Sequence, residues 1–281
     1  MGLLSKKNKP SQKAYAVVTG AGSGIGRSFA LELTKRGGDV ICADIDLSSA
    51  QETVDLIQSM TSTSAYAVHC DVGLKESVHA LAEQAEQLLG HPVTLLINNA
   101  GVGLGGKFDE VSLEDWQWCM HVNLWGVIHG CHYFVPKFKQ QGFGAIINVA
   151  SAAGYTVAPE MTAYNVTKSS VLALSETLAS ELQAYNIAVN VLCPTLVPTN
   201  IMKNGRLPSR YSGLADKLLM NHAFTTSDAV VKKTLNRLDA GKLYTIPQPD
   251  AKLFWWMKRA SPSLYIKLLG LGYPLFNQIT K

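Results

Sequence analysis

The sequence predicts an α/β fold in which a doubly wound parallel sheet of about seven strands carries helices on both faces. Three observations support that expectation. Short, nearly continuous apolar runs recur near residues 14–19, 39–44, 65–70, 93–97, 145–149, 187–192 and 243–246, as expected of strands buried on both faces. Helical patterns fill the gaps, so right-handed crossovers can join the strands in parallel. The first apolar run passes straight into Thr19-Gly20-Ala21-Gly22-Ser23-Gly24-Ile25-Gly26 and then into the helical run 27–35, giving the order strand, glycine turn, helix.

That turn suits a pyrophosphate. Gly20, Gly24 and Gly26 lack the Cβ atoms that keep an anion from the backbone, and the following helix offers free N–H groups and a positive dipole end. The second run ends at Asp44, twenty residues after Gly24, where a carboxylate can accept hydrogen bonds from both hydroxyls of an adenosine ribose. A 2′-phosphate there would meet a like charge at a cost of up to about 4 kcal/mol, which favours NAD over NADP. Asp44 also reads as a solvated turn residue, and Arg27, just past the glycines, could pair with a 2′-phosphate.

The third run leads to Asp71-Val72 and the fourth to Asn98-Asn99-Ala100-Gly101, where side-chain amides can pin neighbouring backbone. Asn123 lies in the helical stretch 121–126; among apolar neighbours its amide needs partners, and backbone would satisfy it. The fifth run ends at Ser151. Thirteen residues on, Tyr164 and Lys168 stand four apart in a helical stretch and share a face. A free phenol, with a pKa of about 10, is a poor base at neutral pH. A neighbouring ammonium favours its ionised form and makes it usable for proton transfer.

With these motifs in order, the chain resembles the short-chain dehydrogenases/reductases of the non-extended type over roughly residues 13–247, with a Rossmann-like fold. The resemblance implies an oxidoreductase that interconverts a secondary alcohol and a ketone or aldehyde with NAD or NADP. It implies catalytic roles for Asn123, Ser151, Tyr164 and Lys168. Ser151 would hold the substrate oxygen, Tyr164 exchange the proton, Lys168 bind the nicotinamide ribose, and Asn123 hold a water that links Lys168 to solvent. Cofactor contacts would come from Gly20, Ser23, Gly24, Ile25, Gly26, Asp44, Asp71, Val72, Asn99, Ala100, Gly101, Tyr164, Lys168, Pro194, Val197 and Thr199. Asp71 would accept from the adenine amino group, although it equally suits a cap for a helix starting near Leu74. One departure stands out: Cys193-Pro194-Thr195 replaces the family's usual Pro-Gly, so Thr195 adds bulk near the nicotinamide ring.

Hydrophobic residues make up 47% of the 281 and charged residues only 16%, against about 25% in ordinary soluble domains. This predicts subunit-contact surface and a homodimer or homotetramer. A net charge of +4 without a basic, aromatic-interleaved stripe argues against nucleic acid. Five scattered cysteines without C-x-x-C spacing indicate neither disulfides nor a metal site and point to the reducing cytoplasm.

The expected organisation is a flexible basic arm at 1–13, one oxidoreductase domain at 14–247, and an amphipathic helical extension at 248–281. Two short helices are expected near 253–259 and 264–269. Their apolar face would cover the substrate cleft or a partner subunit, in preference to lying on a membrane. Residues 102–105, Ala152, Ala153, Tyr155, Met161 and a lid-like stretch at 200–224 are candidate substrate contacts, mostly apolar, and suit a hydrophobic alcohol or ketone. Two rival readings are an NADP-dependent reductase of lipid-like carbonyls at a membrane surface and a non-catalytic dinucleotide-binding redox sensor. The second calls for damaged catalytic positions, and Ser151, Tyr164 and Lys168 are intact.

Overall fold

All seven apolar runs become parallel strands: β1 Tyr15–Thr19, β2 Asp39–Asp44, β3 Ala65–His69, β4 Leu95–Asn98, β5 Gly144–Val149, β6 Ile187–Leu192 and β7 Tyr244–Thr245. They form one sheet in the order β3-β2-β1-β4-β5-β6-β7. The computed structural model describes residues 9–201, 204–211 and 225–279, so most of the lid-like stretch expected at 200–224 lies outside the described residues. Helices follow as α1 Gly24–Lys35, α2 Leu47–Met60, α3 Lys75–Leu89, α4 Leu113–Met120, α5 Gly126–Gln141, α6 Ala153–Thr156, α7 Thr162–Glu181, α8 Ser227–Asp239, α9 Pro249–Ala260 and α10 Pro262–Ile279.

Alternation along each strand divides the core into two layers. Val17, Ile41, Leu96, Ile146 and Val191 face α3, α5 and α7, where Leu81, Phe134, Phe138 and Val171 meet them. Ala16, Val18, Val40, Leu95, Ile97 and Ile147 face α1, α2 and α8, against Phe29, Leu33, Ile57 and Leu235. Both faces are therefore dry, which explains why the strands read as unbroken apolar runs. Chain order reverses at β1, which lies between β2 and β4. The crevice this reversal opens at the strands' carboxyl ends is where such sheets bind ligands.

A buried polar chain fixes α7 to this sheet. Asn98 and Asn148 are neighbours in the β4–β5 register. Asn98 Nδ2 donates to Asn148 Oδ1 at 2.9 Å, Asn148 Nδ2 donates to Ser175 Oγ at 3.0 Å, and Ser175 Oγ donates to Val171 O at 2.7 Å. The five cysteines are free thiols, all buried. At the amino end, residues 9–13 are not wholly loose: Ser11 is buried, and its N–H and hydroxyl both donate to the Asp239 carboxylate. At the carboxyl end the two helices are longer than expected, at 12 and 18 residues, each opening on a proline at its first position.

Replacing Asn148 by Leu keeps the branched shape and the number of heavy atoms and removes both links of the polar chain. The orphaned Asn98 amide should lower stability by about 1–3 kcal/mol, measured by equilibrium urea unfolding. An unchanged midpoint would show that the chain does not hold α7.

Candidate active site

The glycine turn joins β1 to α1 and is built against the protein itself. Gly20 has φ +65° and packs so closely on the Ala100 backbone that a Cβ would lie 2.9 Å from Ala100 Cα. A Cβ on Gly26 would fall 2.0 Å from the Gly20 carbonyl oxygen. Gly26 is thus required for the helix to approach its own turn, a packing role the sequence reading had assigned to phosphate access. A Cβ on Gly24 would meet Thr199, so the loop after β6 closes onto the turn. Ser23, the residue before α1, makes no side-chain cap, and the first turn contains no acidic residue. Its N–H groups therefore suit an anion, and the residues present fit a pyrophosphate.

Neighbouring strand ends complete this edge. Thr19 Oγ1 accepts from the N–H groups of Asn99 (3.0 Å) and Ala100 (3.1 Å), while Asn99 Nδ2 donates to Thr19 O (2.8 Å) and Gly20 O (3.1 Å). These bonds weld the ends of β1 and β4. Asp44 closes β2, and its carboxylate accepts from Gly22 N (2.8 Å) and Asp46 N (3.1 Å). The Arg27 guanidinium is committed to Thr53 Oγ1, Gly22 O and Glu52. Asp71 accepts from Gly73 N at 2.9 Å and does not cap α3, whose first turn makes no side-chain cap. Val72 is buried against Gly126.

Ser151, Tyr164 and Lys168 converge at the end of β5. The Ser151 hydroxyl donates to Pro194 O at 3.4 Å and accepts from Ala153 N at 3.1 Å, and it stands beside the Tyr164 phenol, whose proton affinity it lowers. Lys168, 2% exposed, donates from Nζ to Val149 O at 3.0 Å and lies 5.7 Å from the Tyr164 ring centre. Burial dominates both groups. It pushes the Tyr164 phenol up to about 12, with the neighbouring Ser151 hydroxyl pulling the other way. It draws the Lys168 amine down to about 8. The spacing predicts that the ammonium brings the phenol down; in the structure burial raises it instead, and the group that pulls it down is Ser151, not Lys168.

Asn123 sits in a π-helical turn, His121–Trp125, between α4 and α5. It is fully buried, accepting from Val102 N at 2.8 Å and donating to Val102 O at 2.9 Å, so backbone satisfies its amide. Gly101 lies between this amide and the lysine: a Cβ there would be 3.1 Å from Asn123 Oδ1 and 3.4 Å from Lys168 Nζ. After β6, Val197 and Pro194 are buried. Thr195 turns to the C-terminal segment, its N–H donating to Gln248 Oε1 (3.2 Å) and its hydroxyl to Asp250 Oδ1 (3.4 Å).

Loops interlock above this cluster. Leu104 pairs with Arg206 and Gly106 with Met161. Tyr155, expected in the pocket, faces away from it: its hydroxyl donates to Ala251 O at 3.2 Å and its ring meets Trp255 edge-on. Between Ser151 and Tyr164, Val157 (φ +51°) and Glu160 (φ +60°) adopt left-handed backbone, which costs about 1–3 kcal/mol per residue. Glu160 is the tie that retains it. Its carboxylate accepts from Tyr273 (2.8 Å) and Arg210 (3.3 Å), and its carbonyl from Gly106 N (2.8 Å). The sequence reading missed Glu160, Tyr273 and Thr19 as positioning residues; no periodicity or spacing marks the first two.

The family model of the short chain dehydrogenases matches residues 14–208. The cyclohexanol dehydrogenase of an Acinetobacter strain is 36% identical over 196 residues, covering 69% of this chain and 77% of that protein. Relatives from Mycobacterium tuberculosis and Mycobacterium bovis are 36% identical over 186 residues, but this chain spans only 31% of their length. Among solved structures, a Burkholderia phymatum short chain dehydrogenase/reductase in complex with NAD superposes with a TM-score of 0.83 at 32% identity, covering 91% of this chain and 96% of the other. A Sphingobium yanoikuyae short-chain dehydrogenase in complex with NADPH gives 0.75 at 25% identity, covering 90% and 94%. With the glycine turn, the neighbouring Ser151 and Tyr164 and the buried Lys168 all inside the matched span, the chain belongs to the short-chain dehydrogenase family.

Proposed function

We propose that this protein is a nicotinamide-dependent oxidoreductase that interconverts a hydrophobic secondary alcohol and its carbonyl. The observation that carries the reading is the convergence of Ser151, Tyr164 and Lys168 at the carboxyl end of β5. Ser151 donates to the substrate oxygen. Tyr164 takes the hydroxyl proton in oxidation and returns it in reduction. Lys168 holds the nicotinamide ribose, and its charge favours the phenolate. Asn123 orients the backbone at Val102 and keeps a polar path beside the amine. The dinucleotide supplies the hydride acceptor or donor.

Gly20, Ser23, Gly24, Ile25 and Gly26 form the pyrophosphate cradle of this reading. Asp44 holds the adenosine ribose and Asp71 with Val72 the adenine. Asn99, Ala100 and Gly101 line the inner ribose, and Pro194, Val197 and Thr199 the carboxamide. NAD is the favoured cofactor. The Asp44 carboxylate repels a 2′-phosphate, and the nearby Arg27 guanidinium is bonded to Thr53, Gly22 and Glu52. Residues 14–247 act as the catalytic domain, with 248–281 an appended helical extension. The low charged fraction favours a homo-oligomer. Five buried free thiols favour the cytoplasm. The similarity to a cyclohexanol dehydrogenase favours a small apolar alcohol as substrate.

The assay is a panel of secondary alcohols and ketones with both cofactors. Tyr164→Phe should lower kcat by between about 10²- and 10⁴-fold. Ser151→Ala should lower it by about 10²- to 10³-fold. Near-normal turnover by the Phe variant would end the proton-transfer assignment.

Asp44→Ala should raise kcat/KM with NADP by about tenfold or more while weakening NAD, because the repelling charge is gone. Wild-type protein that uses both cofactors equally would contradict the role given to Asp44.

Because burial places the phenol at about 12, oxidation, which needs it deprotonated, should rise with pH, by up to about tenfold per unit well below the pKa. Reduction needs the protonated form and should not rise. The slopes of log kcat/KM for the two directions decide; a flat oxidation profile would argue against Tyr164 as the base.

A further inference from the structure

The last two helices leave a coherent surface that the chemistry above does not use. On α10 the side turned to the body is a single stripe at 265, 269 and 273. Tyr265 is buried and donates to Thr156 O at 2.9 Å, and Tyr273 donates to Glu160 at 2.8 Å. Leu264, Leu268 and Leu271, spaced i, i+4, i+7, lie away from that stripe and are exposed, Leu271 at 67%. On α9 the side turned to the body is Ala251 with Trp255, which meets Tyr155 edge-on and lies under the Arg259 guanidinium. Opposite stand Leu253, Trp256 and Met257, with Trp256 68% exposed.

Past Asp250, which opens α9 and accepts from Thr195, the charge on this segment has one sign. None of the chain's 21 acidic residues follows Asp250, whereas Lys252, Lys258, Arg259 and Lys267 lie along the two helices. A second copy laid face to face here would bring amine against amine, and the one carboxylate in the two helices, Asp250, is turned to Thr195. An anionic surface with an apolar interior answers both features: leucines and Trp256 enter the acyl boundary while the exposed Lys252 and Lys267 reach the headgroups. Among the described residues no helix is long and apolar enough to cross a membrane, so the geometry suits a helix lying in the interface.

We propose that α9 and α10 dock this protein on an anionic phospholipid surface. Docking there would set the loop 153–161, and with it the active-site side of the molecule, against the bilayer. The proposal concerns adsorption and does not depend on the reaction assigned above.

The test is co-sedimentation of the full chain with vesicles of phosphatidylcholine plus phosphatidylglycerol and with vesicles of phosphatidylcholine alone. Partition should favour the anionic vesicles and fall as salt rises. It should be weaker by about tenfold or more in Leu268→Glu/Leu271→Glu and in Lys252→Glu/Lys267→Glu, with circular dichroism verifying that both variants fold. Should the leucine variant not fold, the charge variant decides. Absence of wild-type partition, equal partition on neutral and anionic vesicles, or full partition by the folded variants overturns the proposal. So does a wild-type oligomer that sediments as a smaller species once Leu268 and Leu271 are replaced, with no vesicle binding; that face would then be a subunit contact.

Discussion

An amine stripped of water is the constraint on which the site depends. Lys168 donates to the Val149 carbonyl, and burial lowers its affinity for a proton. Its surroundings make sense as a response to that. The register of β4 and β5 and the chain Asn98–Asn148–Ser175 set α7 against the sheet, so that Nζ reaches the last carbonyl of β5. Gly101 leaves room beside it, and Asn123 spends its amide on the Val102 backbone. The same desolvation raises the phenol of Tyr164. Amine and phenol are therefore both displaced toward their neutral forms, and either charged form gains from any opposite charge brought close.

Much of this was legible in the sequence, for physical reasons. A strand covered on both faces must be apolar along its length, so β1 to β6 announce themselves at nearly their observed bounds. The glycine turn and the Tyr164–Lys168 spacing are local patterns that reveal which residues share a turn or a helix face. Features that depend on meetings across the chain were not legible. Glu160 meets Arg210 and Tyr273 over separations of 50 and 113 residues. The left-handed backbone at Val157, a β-branched residue, is a local cost that the fold imposes against residue preference. The direction of the phenol's shift depended on the depth of burial, which spacing does not encode. Gly26 stands out in the motif, but its reason, the approach of the Gly20 carbonyl, is a contact across the turn that residue order does not encode.

The C-terminal helices belong to the same mechanical unit as the site. Trp255 packs on Tyr155, Tyr265 holds Thr156, and Tyr273 holds Glu160, so three aromatic side chains brace successive points of the loop between Ser151 and α7. Thr195, whose extra bulk stood out in the sequence, adds a fourth contact through Asp250. The segment beyond β7 therefore helps to hold two left-handed residues in place.

The buried thiols have a consequence for how the molecule's breathing can be followed. Desolvation raises Cys42 and Cys131 to about 12 and Cys70 to about 11, and Cys193 is raised as well. At neutral pH the closed protein thus offers almost no thiolate to an electrophile. Cys70 follows β3 and Cys193 follows β6, at separate places along the carboxyl edge. Alkylation of each would proceed only through transient opening of its own stretch, so two reaction clocks are built into the rim where ligand enters.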